Sequence, residues 1–128
     1  MMSVPFGKKR HKFGAKRMSD GMNVYDSKLE HDRYMDLQLM EKGGLIRDLK
    51  FKPPKVHLTD AAISYQPDYS YIDTALDELY YEDAKGFVTK RWQIIKKLWK
   101  YYGPAPLRIT HRLRDGRIVT KKVIVPNE

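Results

Sequence analysis

Residues 65–87, "YQPDYSYIDTALDELYYEDAKGF", decide the fold. Two runs rich in aromatic and branched residues, about Ile63 to Ile72 and Leu79 to Phe87, flank the turn-compatible segment "DTALDE", a pattern that predicts an antiparallel hairpin. The second run holds Glu82, Asp83, Ala84 and Lys85 where an apolar strand is expected. Successive strand side chains alternate faces, so Asp83 and Lys85 share one face while Glu82 and Ala84 share the other. With the turn at this length, Asp68 on the first strand comes opposite Asp83. Two carboxylates forced together repel each other, and a divalent cation that accepts oxygen from both removes the cost. Mg²⁺ suits such a site because it takes carboxylate oxygens, keeps several waters and accepts phosphate as a further ligand.

Outward from the hairpin, Asp26-Ser27 opens a helix reaching about Lys42, with Leu29, Leu37, Leu39 and Met40 as its apolar side and Gly43-Gly44 as its stop. "LIRDLKF", a Pro53-Pro54 break and "KVHL" follow. Thr89 caps a second helix through Tyr102, where Trp92, Ile95, Leu98, Trp99 and Tyr102 recur at helical spacing before Gly103-Pro104. "LRITHRL" and "RIVTKKVIV" flank Arg114-Asp115-Gly116, a strong hairpin signal. The order predicts an α/β fold, a sheet with helices packed on it. Residues 1–23 read as a flexible basic arm, and residues 24–128 as one domain.

The 128 residues include no cysteine, which excludes a disulfide framework, thiolate metal sites and cysteine nucleophiles. No apolar stretch approaches the roughly 20 residues that span a bilayer, so a soluble, cytoplasmic protein is expected. The net charge of +9 is unevenly distributed. Residues 1–17 carry six Lys/Arg and no acid, residues 18–84 seven against fourteen acids, and residues 85–128 twelve against two. An acidic middle between basic ends is read either as a cation site facing a phosphate backbone or as a solvated acidic face. The arm likewise either lies along nucleic acid or is an ordinary disordered tail.

Each acid also has a plain structural reading. Gln66-Pro67-Asp68 makes a simple turn, Asp83 and Lys85 an edge-strand ion pair, and Ser27-Lys28-Leu29-Glu30 a capping box. Together, however, Glu30 on a first helix, then Pro67-Asp68, then Asp83-Ala84-Lys85 and a basic amphipathic helix resemble the PD-(D/E)XK nuclease superfamily. Over roughly residues 24–110, "YDSKLEHDRYMDLQLMEKGGLIRDLKFKP" and "YEDAKGFVTKRWQIIKKLW" look like small phage-type members related to Holliday-junction resolvases.

That resemblance implies a restriction-endonuclease-like core: a central mixed β-sheet flanked by helices, here with a C-terminal β-hairpin. It implies a metal-dependent, structure-specific DNA endonuclease, with Holliday-junction resolution as the first expectation and a homodimer that makes two paired cuts. Asp68 and Asp83 would hold Mg²⁺, with Mn²⁺ able to substitute, and Glu30 would complete the shell. Lys85 would orient or help deprotonate the attacking water. Many members carry Glu before x-Lys, so Glu82 is the alternative strand ligand if a bulge shifts the register. DNA contacts are expected from Lys8, Lys9, Arg10, Lys12, Lys16 and Arg17 in the arm and from Lys90, Arg91, Gln93 and Lys97 on the second helix. A general nicking nuclease is the nearest rival, and a non-catalytic basic nucleic-acid-binding protein the rival from another class. In a phage, the location would be the host cytoplasm.

Overall fold

The computed structural model describes residues 18–19, 24–25, 27–85 and 89–127. The chain is α/β. A mixed five-stranded sheet runs in the order β3 (Ile46–Phe51), β6 (Tyr69–Asp73), β7 (Glu78–Ala84), β8 (Leu107–Arg112), β9 (Ile118–Ile124). Neighbours are antiparallel except β7 and β8, which run parallel because α2 (Lys90–Tyr102) crosses between them. Two short ribbons accompany the sheet: β1 (Met18–Ser19) with β2 (Val24–Tyr25), and β4 (Val56–His57) with β5 (Ser64–Tyr65). Residues 18–19 thus pair as a strand inside the stretch expected to be arm, whose remaining residues lie outside the described ones.

Helix α1 (Lys28–Lys42) begins where Ser27 accepts a hydrogen bond from the Glu30 amide, and α2 where Thr89 accepts one from the Trp92 amide. Each helix covers one face of the sheet. Leu37 of α1 packs with Ile46, Tyr69, Tyr71 and Tyr80. On the other face, Trp92, Ile95 and Trp99 of α2 pack with Leu107, Ile109 and Ile124, and the β4–β5 ribbon adds Leu58 and Tyr65. Among the described residues no helix is long and apolar enough to cross a membrane.

Some expectations need correction. Leu39 is 69 % exposed and Tyr102 60 %, so both lie outside the cores of the helices they were expected to anchor. The predicted strand from Ile63 to Ile72 is two strands, broken at Gln66-Pro67-Asp68. Pro67 has no amide to donate to a ladder, and the Gln66 side chain instead donates to the carbonyls of Lys52 and Pro53. The next strand ends at Ala84, three residues before Phe87, and residues 86–88 lie outside the described ones. The hairpin β6–β7 and the terminal hairpin β8–β9 form as expected, the latter turning at Gly116 with φ +94°.

Candidate active site

The pairing of β6 with β7 sets the site. Tyr69 lies opposite Glu82, so the next step outward brings Asp68 level with Asp83. The Ala84 amide donates to Asp68 Oδ2 at 2.9 Å, locking that carboxylate against the end of β7. Lys85 Nζ stands 2.8 Å from Asp83 Oδ2 and 4.3 Å from the centre of the Trp92 ring in the first turn of α2. The Lys85 amide donates to the Thr110 carbonyl of β8 at 2.9 Å, fixing the backbone that carries this lysine.

Glu30 arrives from the opposite face, in the first turn of α1. The Tyr69 hydroxyl donates to the Glu30 carbonyl at 2.5 Å, which pins this turn to β6 one residue from Asp68. The Glu30 carboxylate is buried, with Lys52 Nζ 3.9 Å from its Oε1.

The electrostatics show that the three acids share one field. Burial first, and then the charges of Asp83 and Glu30, push the Asp68 carboxyl well above the usual carboxylate range, against the opposing pull of the Ala84 amide. The Tyr65 phenol is also driven well above its ordinary value, by burial and then by Asp83 and Asp68. Burial and like charge thus both disfavour ionisation of Asp68.

Glu82 does not join them. It is fully buried on the α1 face, where Arg33 donates to both its oxygens at 2.6 and 3.2 Å, and Tyr71 and Thr110 donate at 2.5 and 3.1 Å. Desolvation opposes the Arg33 charge, yet the hydrogen bonds and charge of Glu82 raise its pKa overall. Both oxygens of Glu82 are committed to this network, and the strand alternation turns it away from Asp83.

Of the expected DNA contacts, Lys90, Gln93 and Lys97 are exposed on α2, while Arg91 turns toward the β4–β5 ribbon and donates to the Ser64 carbonyl at 3.2 Å. Lys8, Lys9, Arg10, Lys12, Lys16 and Arg17 lie outside the described residues. Two site residues went unrecognised in the sequence, Lys52 and Tyr65. Both sit beside the chain breaks at Pro53 and Pro67, and the Lys52 amide donates to the Asp68 carbonyl at 2.7 Å. Only the pairing of β3 with β6 brings Lys52 to the site, and nothing local in the sequence announces it.

As donors, Glu30, Asp68 and Asp83 offer only carboxylate oxygens, the chemistry a hard cation such as Mg²⁺ selects. Among the described residues no three His, Asp or Glu side chains are grouped so that they could hold a metal ion. Their donor type suits a hard cation, while their placement does not gather all three into one metal-holding group. A family model described as "Protein of unknown function (DUF1064)" matches residues 10–114. No curated protein matches the chain.

Proposed function

The chain belongs to the DUF1064 family, and from the site it carries we propose a Mg²⁺-dependent DNA endonuclease that hydrolyses phosphodiester bonds in branched DNA, four-way junctions first. The observation that carries the reading is the meeting of Asp68 and Asp83 at one sheet end with Lys85 beside them and Glu30 close enough to raise the Asp68 carboxyl. Asp68, Asp83 and Glu30 would hold the ion. When bound, it would supply positive charge at the phosphate and a more acidic water. Lys85 adds an ammonium on the same side, positioned to neutralise charge that develops on the phosphoryl oxygens and to orient water for in-line attack. The aromatic face of Trp92 beneath Lys85 limits where its ammonium can go, which favours a fixed geometry over a wandering one. The four-way junction as substrate rests on the superfamily resemblance, and paired cutting there calls for a two-fold homodimer.

The test incubates purified protein with a labelled four-way junction and a linear duplex, in Mg²⁺ or in EDTA, for wild type, Asp83→Asn and Lys85→Ala. Cutting by wild type in Mg²⁺ alone, lost in both variants, is the expected result. Wild type that cuts nothing, or variants that cut equally well, would overturn the nuclease. Equal cutting of both substrates would retire the junction preference and leave a general nicking enzyme.

A second reading, a non-catalytic nucleic-acid-binding protein, is favoured by one contact. Lys85 already satisfies Asp83 Oδ2 at 2.8 Å, as a structural ion pair would. Such a protein would bind DNA equally well in Mg²⁺ and in EDTA and would never cut it.

A further inference from the structure

Beside α2 lies a basic groove that takes in Lys97, already an expected DNA contact, and three lysines to which no role has been given. Lys96, Lys97 and Lys100 of α2 and Lys122 of β9 line it, over a floor that includes the buried Ile124. The Asn127 amide donates to the Lys100 carbonyl at 2.6 Å, which ties the chain after β9 to the end of α2 and fixes the width between them. Among the described residues none of these four lysines has a carboxylate within ion-pair distance. The only acid between positions 85 and 127 is Asp115, and Arg117 Nε holds it at 2.8 Å.

Lysines on an edge strand discourage pairing with another sheet, which accounts for Lys122 alone. It does not account for three helix lysines converging on the same groove. Lys96 and Lys100 are four residues apart, an arrangement of like charges that costs an isolated helix about 0.2–0.5 kcal/mol. The repulsion has a use if a polyanion lies between them.

The groove runs along the helix whose first turn lies beneath Lys85. Lys96 and Lys100 follow the buried Trp92 along α2 at four-residue spacing, and Trp92 is the residue over which Lys85 sits at the start of the helix. At 1.5 Å of rise per residue, Lys96 stands about 6 Å and Lys100 about 12 Å beyond Trp92 along the helix axis. A DNA strand advances about 3.4 Å per nucleotide, so Lys96 and Lys100 stand about two nucleotides apart. We propose that the groove between α2 and β9 is the phosphate track for duplex DNA leaving the candidate active site, with Lys96, Lys97, Lys100 and Lys122 as its backbone contacts. The inference rests on the nuclease reading for the identity of the ligand, and it extends that reading to the strand beyond the scissile bond.

Binding is measured in EDTA, where no cutting interferes, by fluorescence anisotropy of labelled duplex DNA between 50 and 200 mM salt, roughly the range over which backbone contacts dominate the salt dependence. The proteins are wild type, the triple variant Lys96→Gln/Lys100→Gln/Lys122→Gln, and a control triple of exposed lysines elsewhere, Lys42→Gln/Lys50→Gln/Lys55→Gln. The groove variant is expected to bind at least tenfold more weakly, with the slope of log K against log salt shallower by about 3. The control triple is expected to keep the wild-type slope. Equal losses in the two triples, or no loss in the groove variant, would overturn the track, as would a groove variant that loses phosphatidylserine vesicles or polyglutamate while keeping DNA. Asp83→Asn separates the two readings. If wild type binds through the groove but neither protein cuts a junction in Mg²⁺, the nuclease fails and the track stands; if wild type cuts but binding ignores the groove, the reverse holds.

Discussion

Lys85 Nζ lies 2.8 Å from Asp83 Oδ2, on the face of β7 that looks toward α2. This pair determines the sharpest catalytic expectation. The Lys85 side chain is about one quarter exposed, but its partner Asp83 is only 5 % exposed, so removing the lysine strands a buried carboxylate. Lys85→Ala should therefore lower the cleavage rate about 10²–10³-fold, the scale of losing one preorganised charge-stabilising group, and should also lower the melting temperature at pH 7, because the buried Asp83 loses its partner. Gel-based cleavage and a melting curve on the same preparation check both halves. A variant that cuts at the wild-type rate removes Lys85 from the chemistry.

Asp68 should destabilise the metal-free protein. Its native carboxyl is held well above the ordinary value by burial and by Asp83 and Glu30, while in the unfolded chain it titrates near the usual carboxylate range. An acid raised in the native state costs stability at neutral pH, and the cost is lifted as pH falls through the native pKa toward the unfolded one. Asp68→Asn keeps an oxygen for the Ala84 amide and removes the charge. The variant should melt a few degrees higher than wild type at pH 7 in EDTA, corresponding to about 1 kcal/mol, with the gap closing toward pH 4. It should also lose cleavage. A variant that melts lower at pH 7, or by a margin independent of pH, contradicts the account.

How much of this was readable in the sequence follows the range of each interaction. Ser27 and Thr89 cap their helices through bonds three residues long, and Gly116 turns its hairpin locally, so sequence pattern found them. The register that sets Asp68 against Asp83 also comes from a short hairpin. The partners of Glu82 did not. Arg33 is 49 positions away and Thr110 28, and a Glu beside an Asp in one strand carries no mark of which faces a core arginine and which faces the site. The break at Pro67 was visible as a turn signal but lost within a long aromatic run. Its consequence, the meeting of Lys52 with Glu30, depends on β3 joining β6 across a bulge at which Asp48 takes φ +55°.

The Glu82 network yields a prediction about stability. Removing one partner of a buried ion pair strands the other, which typically costs about 3–5 kcal/mol. Glu82→Ala leaves Arg33, Tyr71 and Thr110 without their shared acceptor. It should fall in that range in urea unfolding, whereas Arg33→Ala/Glu82→Ala should cost clearly less than the sum of the two single variants. Additive losses would mean that the pair is not coupled. If Glu82→Gln instead abolished cutting with no change in unfolding, Glu82 would belong with the metal ligands.

Gly103 ends α2 in a backbone conformation open to any residue, with φ −63°, so its requirement for glycine is one of space. A Cβ placed there would meet the Trp99 ring at 2.6–2.7 Å, well inside contact distance. Trp99 cannot yield cheaply. It is fully buried, its indole N–H donates to the Ala105 carbonyl at 2.8 Å, and the rings of Tyr65 and Tyr81 stand edge-on against it at 5.9 and 5.3 Å. Gly103→Ala should thus displace Trp99 and cost about 1–3 kcal/mol, the usual penalty for overfilling a packed core. Because Trp92 and Tyr65 share this cluster, the displacement should also reach the surface beneath Lys85. Urea unfolding measures the stability loss, and tryptophan fluorescence of the folded variant reports whether the ring has moved. An unchanged spectrum together with wild-type stability would show that the cluster absorbs the methyl group without strain.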